Sequence, residues 1–167
     1  MPSDQSPAPE KKPAPQDAVQ ALPRLIERMH RRFLDVVRLE MERFGTADIS
    51  PVQVMMMAAI GAEEISVRDL IERGYYLGSN ASYNLKQLVD CGYVERNAAA
   101  RDKRSARLKV AAKGRAVLDA LARVEARWAE PLLKNDGAAK LEETYRTLLA
   151  LERCWSEAVR SGAPPEA

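Results

Sequence analysis

The sequence predicts a mostly α-helical fold with one small β-hairpin. Apolar residues recur every three or four positions over long stretches near both ends of the 167-residue chain, which is the period of amphipathic helices. Glycine is scarce, at 8 residues, and aromatic residues make up only 5%, which argues against a turn-rich β-sandwich or barrel. Residues 106–110 alternate apolar and basic side chains, which is the period of a half-buried strand.

Composition also narrows the class of protein. The longest apolar run, Val54 to Ile60, is far shorter than the roughly 18 residues that span a membrane, and the N-terminus has no signal-peptide pattern. We therefore expect a soluble cytoplasmic protein without a membrane partner. Cys91 and Cys154 form no CxxC motif, so we expect no disulfide, metal or cofactor. With a single histidine and no nucleophile–base pair, we do not expect an enzyme.

The N-terminal part is predicted to be a disordered arm followed by a long helix. Residues 1–20 are rich in Pro, Ala, Ser and Gln and cannot bury enough surface to order themselves. From Leu22 the apolar positions follow a helical period, and Gly45 ends the helix. These positions are Leu22, Leu25, Ile26, Met29, Phe33, Val36, Val37, Met41 and Phe44.

Two helix starts follow the same local pattern. Ser50 can cap a helix whose Gln53 completes a capping box, with Pro51 at the first helical position. Ser66 is followed three residues later by Asp69 in the same way. The second helix is expected to end at Gly74. Residues 75–78 then form a turn before a further helix over 79–91, so the two short helices predict a helix-turn-helix.

A basic hairpin is predicted to follow. Residues 93–96 and 106–110 read as two strands, and the loop between them carries a concentrated positive charge although the whole chain has a net charge of only +2. Between positions 96 and 109, Asp102 is the only acid among the cations Arg96, Arg101, Lys103, Arg104, Arg107 and Lys109. Such a field attracts phosphate. A helix-turn-helix with this hairpin is a winged helix, over about residues 50–110.

Two further helices are predicted over about 114–160. Pro131 is expected to kink or end the first of them, 135–137 form a turn, and residues 161–167 form a disordered tail. The helices at both ends of the 22–160 domain, 22–45 and 114–160, carry wide apolar stripes. A symmetric homodimer is the economical way to cover them. The C-terminal stripes consist of Val117, Leu118, Leu121, Val124, Trp128, Leu132, Leu141, Tyr145, Leu148, Leu149, Trp155 and Val159.

Several of these segments resemble the MarR family of transcriptional regulators. Asp102-Lys103-Arg104, with Lys113-Gly114 downstream, is similar to the family pattern D-[RK]-R…V-x-L-T-x-x-G. Leu88, the run 91–94 and Arg96 resemble its stretch L-x-x-x-G-[LY]-[VI]-x-R. The resemblance covers residues 22–160 and implies a winged helix-turn-helix flanked by N- and C-terminal dimerisation helices. It also implies a homodimer that binds a pseudo-palindromic site in double-stranded DNA.

The sequence also departs from the family pattern. Ala111 stands where the family usually has a threonine that could cap the next helix, and Tyr83 where many members have arginine. Residues 74–86 resemble the branch that includes the L,D-transpeptidase regulators.

The helix over 79–90 is predicted to read DNA. Ala81, Leu85 and Leu88 fall on one side of it, which leaves the remaining polar side chains for base edges in a major groove. Asn80 or Gln87 could pair with adenine through both amide atoms. Ser79 and Lys86 would hold phosphates. An ordinary solvated helix face is the alternative. The predicted contact residues are Ser79, Asn80, Ser82, Tyr83, Lys86 and Gln87.

The hairpin loop is predicted to contact the minor groove. The resemblance implies that Arg104 enters this groove, where A·T-rich segments concentrate negative potential. Asp102 would orient the arginine, while Arg101 and Lys103 would contact the backbone. The alternative is a solvated charged loop.

The resemblance further implies a small aromatic or phenolic effector. By analogy, His30, Met55, Met56 and Tyr76 would border its cleft, and methionines suit an adaptable pocket. A core methionine cluster and a surface histidine are the alternative interpretation.

These observations predict a sequence-specific DNA-binding transcriptional regulator, a homodimer modulated by a small molecule. A winged-helix adaptor that binds another protein is the alternative. It would not need the basic loop.

Overall fold

The computed structural model describes residues 14–74, 78–97 and 106–162. Over these residues the chain is mostly α-helical with one small antiparallel sheet, as the sequence predicts. The elements are α1 (Pro15–Arg43), α2 (Pro51–Ile60), β1 (Ile65–Ser66), α3 (Val67–Gly74), α4 (Gly78–Asp90), β2 (Val94–Asn97), β3 (Arg107–Val110), α5 (Ala112–Ala129), a 3₁₀ turn (Glu130–Leu133) and α6 (Gly137–Ser161).

The sheet has three strands in the order β1-β3-β2. The predicted hairpin is β2 with β3, paired in the register Val94 to Val110. The additional strand, β1, pairs with β3 through Ile65 and Leu108. Sequence analysis missed β1 because two residues are too few to show an alternating pattern.

Both predicted capping boxes are present. At α2, the Ser50 hydroxyl accepts the Gln53 N–H at 3.4 Å, and the Gln53 side chain accepts the Ser50 N–H at 2.7 Å. At α3, the Ser66 hydroxyl accepts the Asp69 N–H at 3.0 Å, and the Asp69 carboxylate accepts the Ser66 N–H at 3.2 Å. Each box satisfies backbone donors that the helix itself leaves unpaired, so these starts are locally encoded.

The first helix begins earlier than expected. The predicted disordered arm includes residues 15–20, but α1 already starts at Pro15. Proline suits the first helical turn, and Asp17 lies where the helix dipole favours an acid. Pro23 lies inside α1 without ending it. Residues 1–13 of the predicted arm lie outside the described part of the chain.

The later helices also differ in detail from the prediction. α5 starts at Ala112, ahead of Gly114, and the Ala111 carbonyl accepts the Arg115 N–H at 2.9 Å. The helix gives way to the 3₁₀ turn that contains Pro131, which agrees with the expected break. Gly162 closes α6 with φ of 69°, a left-handed conformation that glycine adopts without steric cost.

The chain divides into two compact units, at Leu118 and Asp119. In the first unit, the core is formed by apolar side chains from the helices and strands around the sheet. Its fully buried members include Val54, Met56, Met57, Ile60, Leu70, Leu88, Tyr93 and Leu108. In the second unit, no α6 residue from Gly137 to Ser161 is buried.

Candidate nucleic-acid interface

α4 is anchored by the apolar side that the sequence predicts. Ala81, Leu85 and Leu88 are all buried, and the helix packs against α2 and β2. Because these residues are spaced by four and three, they form one stripe along the helix. The opposite side of α4 therefore faces away from the core.

The outward side of α4 is polar with one aromatic ring. Asn80 and Ser82 are exposed, and 70% of the Tyr83 surface is accessible. Lys86 is also exposed and forms an ion pair with Asp90 at 2.7 Å, which raises the pKa of the Lys86 ammonium. Amide, hydroxyl and phenol groups can meet base edges, and an ammonium can meet a phosphate.

Two predicted α4 contacts need separate description. Ser79 lies in the first turn of α4, but its side chain is outside what the structure describes. Gln87 is half-buried, and its side-chain oxygen accepts a hydrogen bond from Gln53 at 2.7 Å. Two-atom pairing with adenine uses both amide atoms, and the bond from Gln53 takes up one lone pair of the Gln87 oxygen, so base reading by Gln87 stays a prediction.

The wing is the β2–β3 hairpin, and basic side chains are exposed on both of its strands. Leu108 and Val110 are buried, whereas Arg107 is exposed together with its neighbour across the ladder, Asn97. Arg96 is exposed as well. The predicted contacts Arg101, Lys103 and Arg104, with Asp102, lie outside the described residues. The described strands thus carry exposed basic residues on both sides of that segment.

A polar cluster joins the loop before α2 to the base of the wing and to α5. The hydroxyl of Tyr93, which is itself 2% exposed, donates to the Asp48 carboxylate at 2.6 Å. The Lys113 ammonium binds the other carboxylate oxygen at 2.9 Å and the Cys91 carbonyl at 3.1 Å. It also lies 3.9 Å from the centre of the Tyr93 ring, a cation–π contact. These bonds fix the strand that leads into the wing.

The same contacts shift the protonation equilibria of the cluster. The hydrogen bond from Tyr93, followed by that from Lys113, lowers the pKa of the Asp48 carboxyl. Burial, followed by the bond to Asp48, raises the pKa of the Tyr93 phenol. The bond to Asp48 is the main cause that raises the pKa of the Lys113 ammonium. All three shifts favour a neutral phenol beside an ion pair.

We expect Tyr93→Phe to lower the free energy of unfolding by about 1 kcal/mol at neutral pH, the usual contribution of one hydrogen bond. Because the pKa of the Asp48 carboxyl is lower in the folded protein than in the unfolded chain, its ionised form stabilises the fold at pH values above the unfolded-state pKa of about 3.9. This contribution is lost as the pH falls through the folded-state pKa. The variant lacks the hydrogen bond from Tyr93, which is the main cause of the lowered Asp48 pKa. The difference in stability between the variant and the wild type should therefore become smaller in acid.

Urea titrations between about pH 7 and pH 2 measure this difference. Tyr83→Phe is the matched control because 70% of the Tyr83 surface is accessible, and in the absence of DNA its free energy of unfolding should stay near that of the wild type. A difference between Tyr93→Phe and wild type that stays constant over the whole pH range would contradict the role given to Asp48.

The described residues that are predicted to bind an effector differ in their burial. Met56 is fully buried in the core and His30 is exposed on α1, whereas Met55 is half-buried. Tyr76 lies outside the described residues. A cavity of about 520 Å³ is present in the described part of the chain, and His30, Met55 and Met56 do not line it. Its walls are Arg38, Met41, Glu42, Gly45, Thr46, Ala47, Ile49 and Pro51.

Metal sites and membrane spans are both absent from residues 14–74, 78–97 and 106–162. Within these ranges, no group of three or more His, Cys, Asp or Glu side chains could hold a metal ion. No helix in the same ranges is long and apolar enough to cross a membrane.

Sequence analysis missed the long-range polar contacts of this region. Gln53 and Gln87 are 34 residues apart, and Asp48 and Tyr93 are 45 residues apart. The capping motif singles out Gln53 but predicts only its bond to Ser50. Contacts between residues so far apart in the chain produce no periodic pattern in the sequence.

Comparison with known proteins identifies relatives of the chain. A family model described as the MarR family matches residues 47–105. A protein of Rhizobium meliloti (strain 1021), the exopolysaccharide II synthesis transcriptional activator ExpG, is 43% identical over 142 residues, which are 84% of this chain and 73% of the relative.

Solved structures share the fold at lower identity. A MarR transcriptional regulator from Methanosarcina mazei Go1 aligns with a TM-score of 0.67 and 21% identity, over 82% of this chain and 98% of that one. FabT of Streptococcus pneumoniae, solved in complex with DNA, aligns with a TM-score of 0.66 and 17% identity, over 83% and 98% of the two chains.

The winged helix, the basic strands and the identity with ExpG agree with one another. The chain belongs to the MarR family of transcriptional regulators.

Proposed function

We propose that the protein binds a pseudo-palindromic site in duplex DNA sequence-specifically, as a homodimer. The observation that carries this proposal is the two-sided character of α4. One side is buried in the core, and the other exposes Asn80, Ser82, Tyr83 and Lys86. An α-helix fits the major groove of B-DNA, where each base pair presents a distinct pattern of donors and acceptors.

In this proposal the wing adds contacts beside the major groove. Arg104 enters the minor groove, while Arg101 and Lys103 hold phosphates on either side. The exposed Arg96 and Arg107 at the base of the wing extend the positive field toward the DNA backbone. The relatives solved with DNA, FabT and a mutant MarR of E. coli with operator DNA, support this assignment.

The homodimer follows from apolar surface that one chain leaves exposed. α6 carries Leu141, Tyr145, Trp155 and Val159 on its surface, and 87% of the Val159 surface is accessible. Burying such surface is favourable at about 25 cal/mol per Å², and a second copy is the simplest partner. Two α4 helices related by a two-fold axis would then meet half-sites about one DNA turn apart.

The test is binding of the purified protein to labelled duplexes, with excess random duplex as competitor. DNA upstream of its own gene is the first duplex to use, and promoters of polysaccharide-synthesis genes follow because of the named role of ExpG. Saturable binding of two chains per site that survives the competitor supports the proposal. Binding that the competitor abolishes on every duplex would favour the winged-helix adaptor instead.

Arg104→Ala is expected to weaken specific DNA binding by about thirtyfold or more, because each lost groove interaction corresponds to about 1–3 kcal/mol and the homodimer loses two. The variant should still form a homodimer, because we assign dimerisation to α6 and DNA contact to the wing. Fluorescence anisotropy gives the affinity, and analytical ultracentrifugation gives the mass.

Arg123→Ala is the control for this variant, since it removes an equal charge from an exposed position on α5. Equal affinities of Arg104→Ala and wild type would contradict the role of the wing. A small aromatic effector remains a separate prediction, which the same binding assay can screen.

A further inference from the structure

Gln53 makes more hydrogen bonds than the cap of α2 requires. Its side-chain oxygen accepts the Ser50 N–H at 2.7 Å, while its side-chain nitrogen donates to the oxygen of Gln87 at 2.7 Å. A capping box accepts glutamate or glutamine at this position equally well. Only glutamine can also donate a hydrogen bond, so the amide links the first turn of α2 to α4.

This link lies in a place where hydrogen bonds are hard to replace. Gln53 is 1% exposed, so its amide has little access to water that could take the place of Gln87. Leaving a buried amide donor without its partner carries a desolvation cost. The pair therefore resists rotation or sliding of α4 relative to α2.

The attachment point on α4 lies next to the surface proposed to meet DNA. Gln87 is four residues after Tyr83, so the two side chains are neighbours on successive turns of the helix. Leu88, beside Gln87, is fully buried and holds the helix at its correct depth. Apolar packing is non-directional, so it fixes only how deeply the helix lies in the core. A hydrogen bond has a defined geometry and therefore also fixes the rotation of the helix about its axis.

We propose that Gln53 is a positioning residue for base recognition, which acts through Gln87 to fix the rotation of α4 in the major groove. The proposal rests on the proposed function, since it assumes that α4 reads DNA. Recognition needs side chains held within about 0.5 Å and 10–20° of the productive geometry. Gln53 would thus control which base edges Asn80, Ser82 and Tyr83 meet.

Four variants separate this role from direct base reading. Gln53→Met has a similar volume but can neither accept the Ser50 N–H nor donate to Gln87, and Gln87→Ala loses the acceptor. Gln87→Glu keeps an acceptor for Gln53 but cannot pair with adenine through two amide atoms. Ser50→Ala weakens the cap of α2 and leaves the Gln53–Gln87 bond in place.

The probe is the set of duplexes that the wild-type protein enriches from a randomised library, together with their single-base-pair variants. The readout is discrimination, defined as the affinity for the enriched duplex divided by that for each variant. Gln53→Met and Gln87→Ala should each reduce discrimination about fivefold to tenfold at several base pairs, within the range of one mismatch. Their double variant should do no more than either alone, because both break the same bond.

The two controls should behave differently from these variants. Gln87→Glu should keep the discrimination of the wild type while binding all duplexes more weakly, since its charge repels phosphate. Ser50→Ala should lower the melting temperature and leave discrimination unchanged. If Gln53→Met does not fold, Gln87→Ala and Gln87→Glu make the same comparison at a half-buried position.

Two results would overturn the proposal while the proposed function stands. One is a loss of discrimination at a single base pair in both Gln87 variants with none in Gln53→Met, which would make Gln87 a direct base reader. The other is unchanged discrimination in Gln53→Met and Gln87→Ala. Failure of the wild type to enrich any duplex would instead overturn the proposed function, and this inference with it.

Discussion

Raising the salt concentration from about 50 to about 200 mM is expected to weaken DNA binding by about 10³- to 10⁵-fold, the change for six to ten neutralised phosphates. The physical reason is release of counterions when cationic side chains replace them on the DNA backbone. Each chain carries six arginines and lysines between positions 96 and 109, and a dimer doubles that number. Lys86 adds a cation on α4 once it leaves Asp90.

The measurement is the dissociation constant at four or more salt concentrations. The logarithm of the affinity should fall linearly with the logarithm of the salt concentration, with a slope of about −5 to −9. Lys103→Ala should make this slope shallower by about one for each phosphate that the variant no longer neutralises. Lys140→Ala is the control, because Lys140 is an exposed residue of α6 that pairs with Asp136. A slope near zero would contradict phosphate binding by the wing.

Gly114→Ala is expected to lower the free energy of unfolding by about 2–3 kcal/mol, the upper part of the range of about 1–3 kcal/mol for overpacking a filled core. A Cβ atom at Gly114 would lie 2.5 Å from the Tyr93 carbonyl oxygen, 2.8 Å from Cγ1 of Val110 and 3.0 Å from Sδ of Met57. The nearest atom belongs to the backbone, so a change of side-chain rotamer cannot relieve the clash. At an open helical site the same change would stabilise by about 1 kcal/mol, so the clash reverses the sign.

Urea denaturation at a fixed chain concentration checks this expectation, because the stability of a dimer depends on concentration. Ala116→Gly, at an exposed position of the same helix, should cost only about 1 kcal/mol. The Ala116→Gly variant should therefore be the less damaging of the two. Unchanged or increased stability of Gly114→Ala would contradict the close approach of α5 to the start of β2.

Much of the fold could be predicted because its signals are local. The capping boxes at Ser50 and Ser66 join residues three positions apart, so their side chains can be recognised in the sequence before any tertiary structure is known. The stripe of Ala81, Leu85 and Leu88 reports the buried side of α4 for the same reason. Periodicity cannot reveal a strand as short as β1. A proline-rich composition also concealed the early start of α1.

The sequence alone determined the winged-helix architecture and the outward side of α4, because each depends on side chains within one or two helical turns or along one strand. The tertiary structure decided the hydrogen bond between Gln53 and Gln87, the cluster around Asp48 and the close packing at Gly114. Each of these depends on atoms that only folding brings together. Gln53 meets Gln87 across 34 residues, and the space at Gly114 is limited by the Tyr93 carbonyl. Such contacts are set by how the helices and the sheet pack, which no local pattern records.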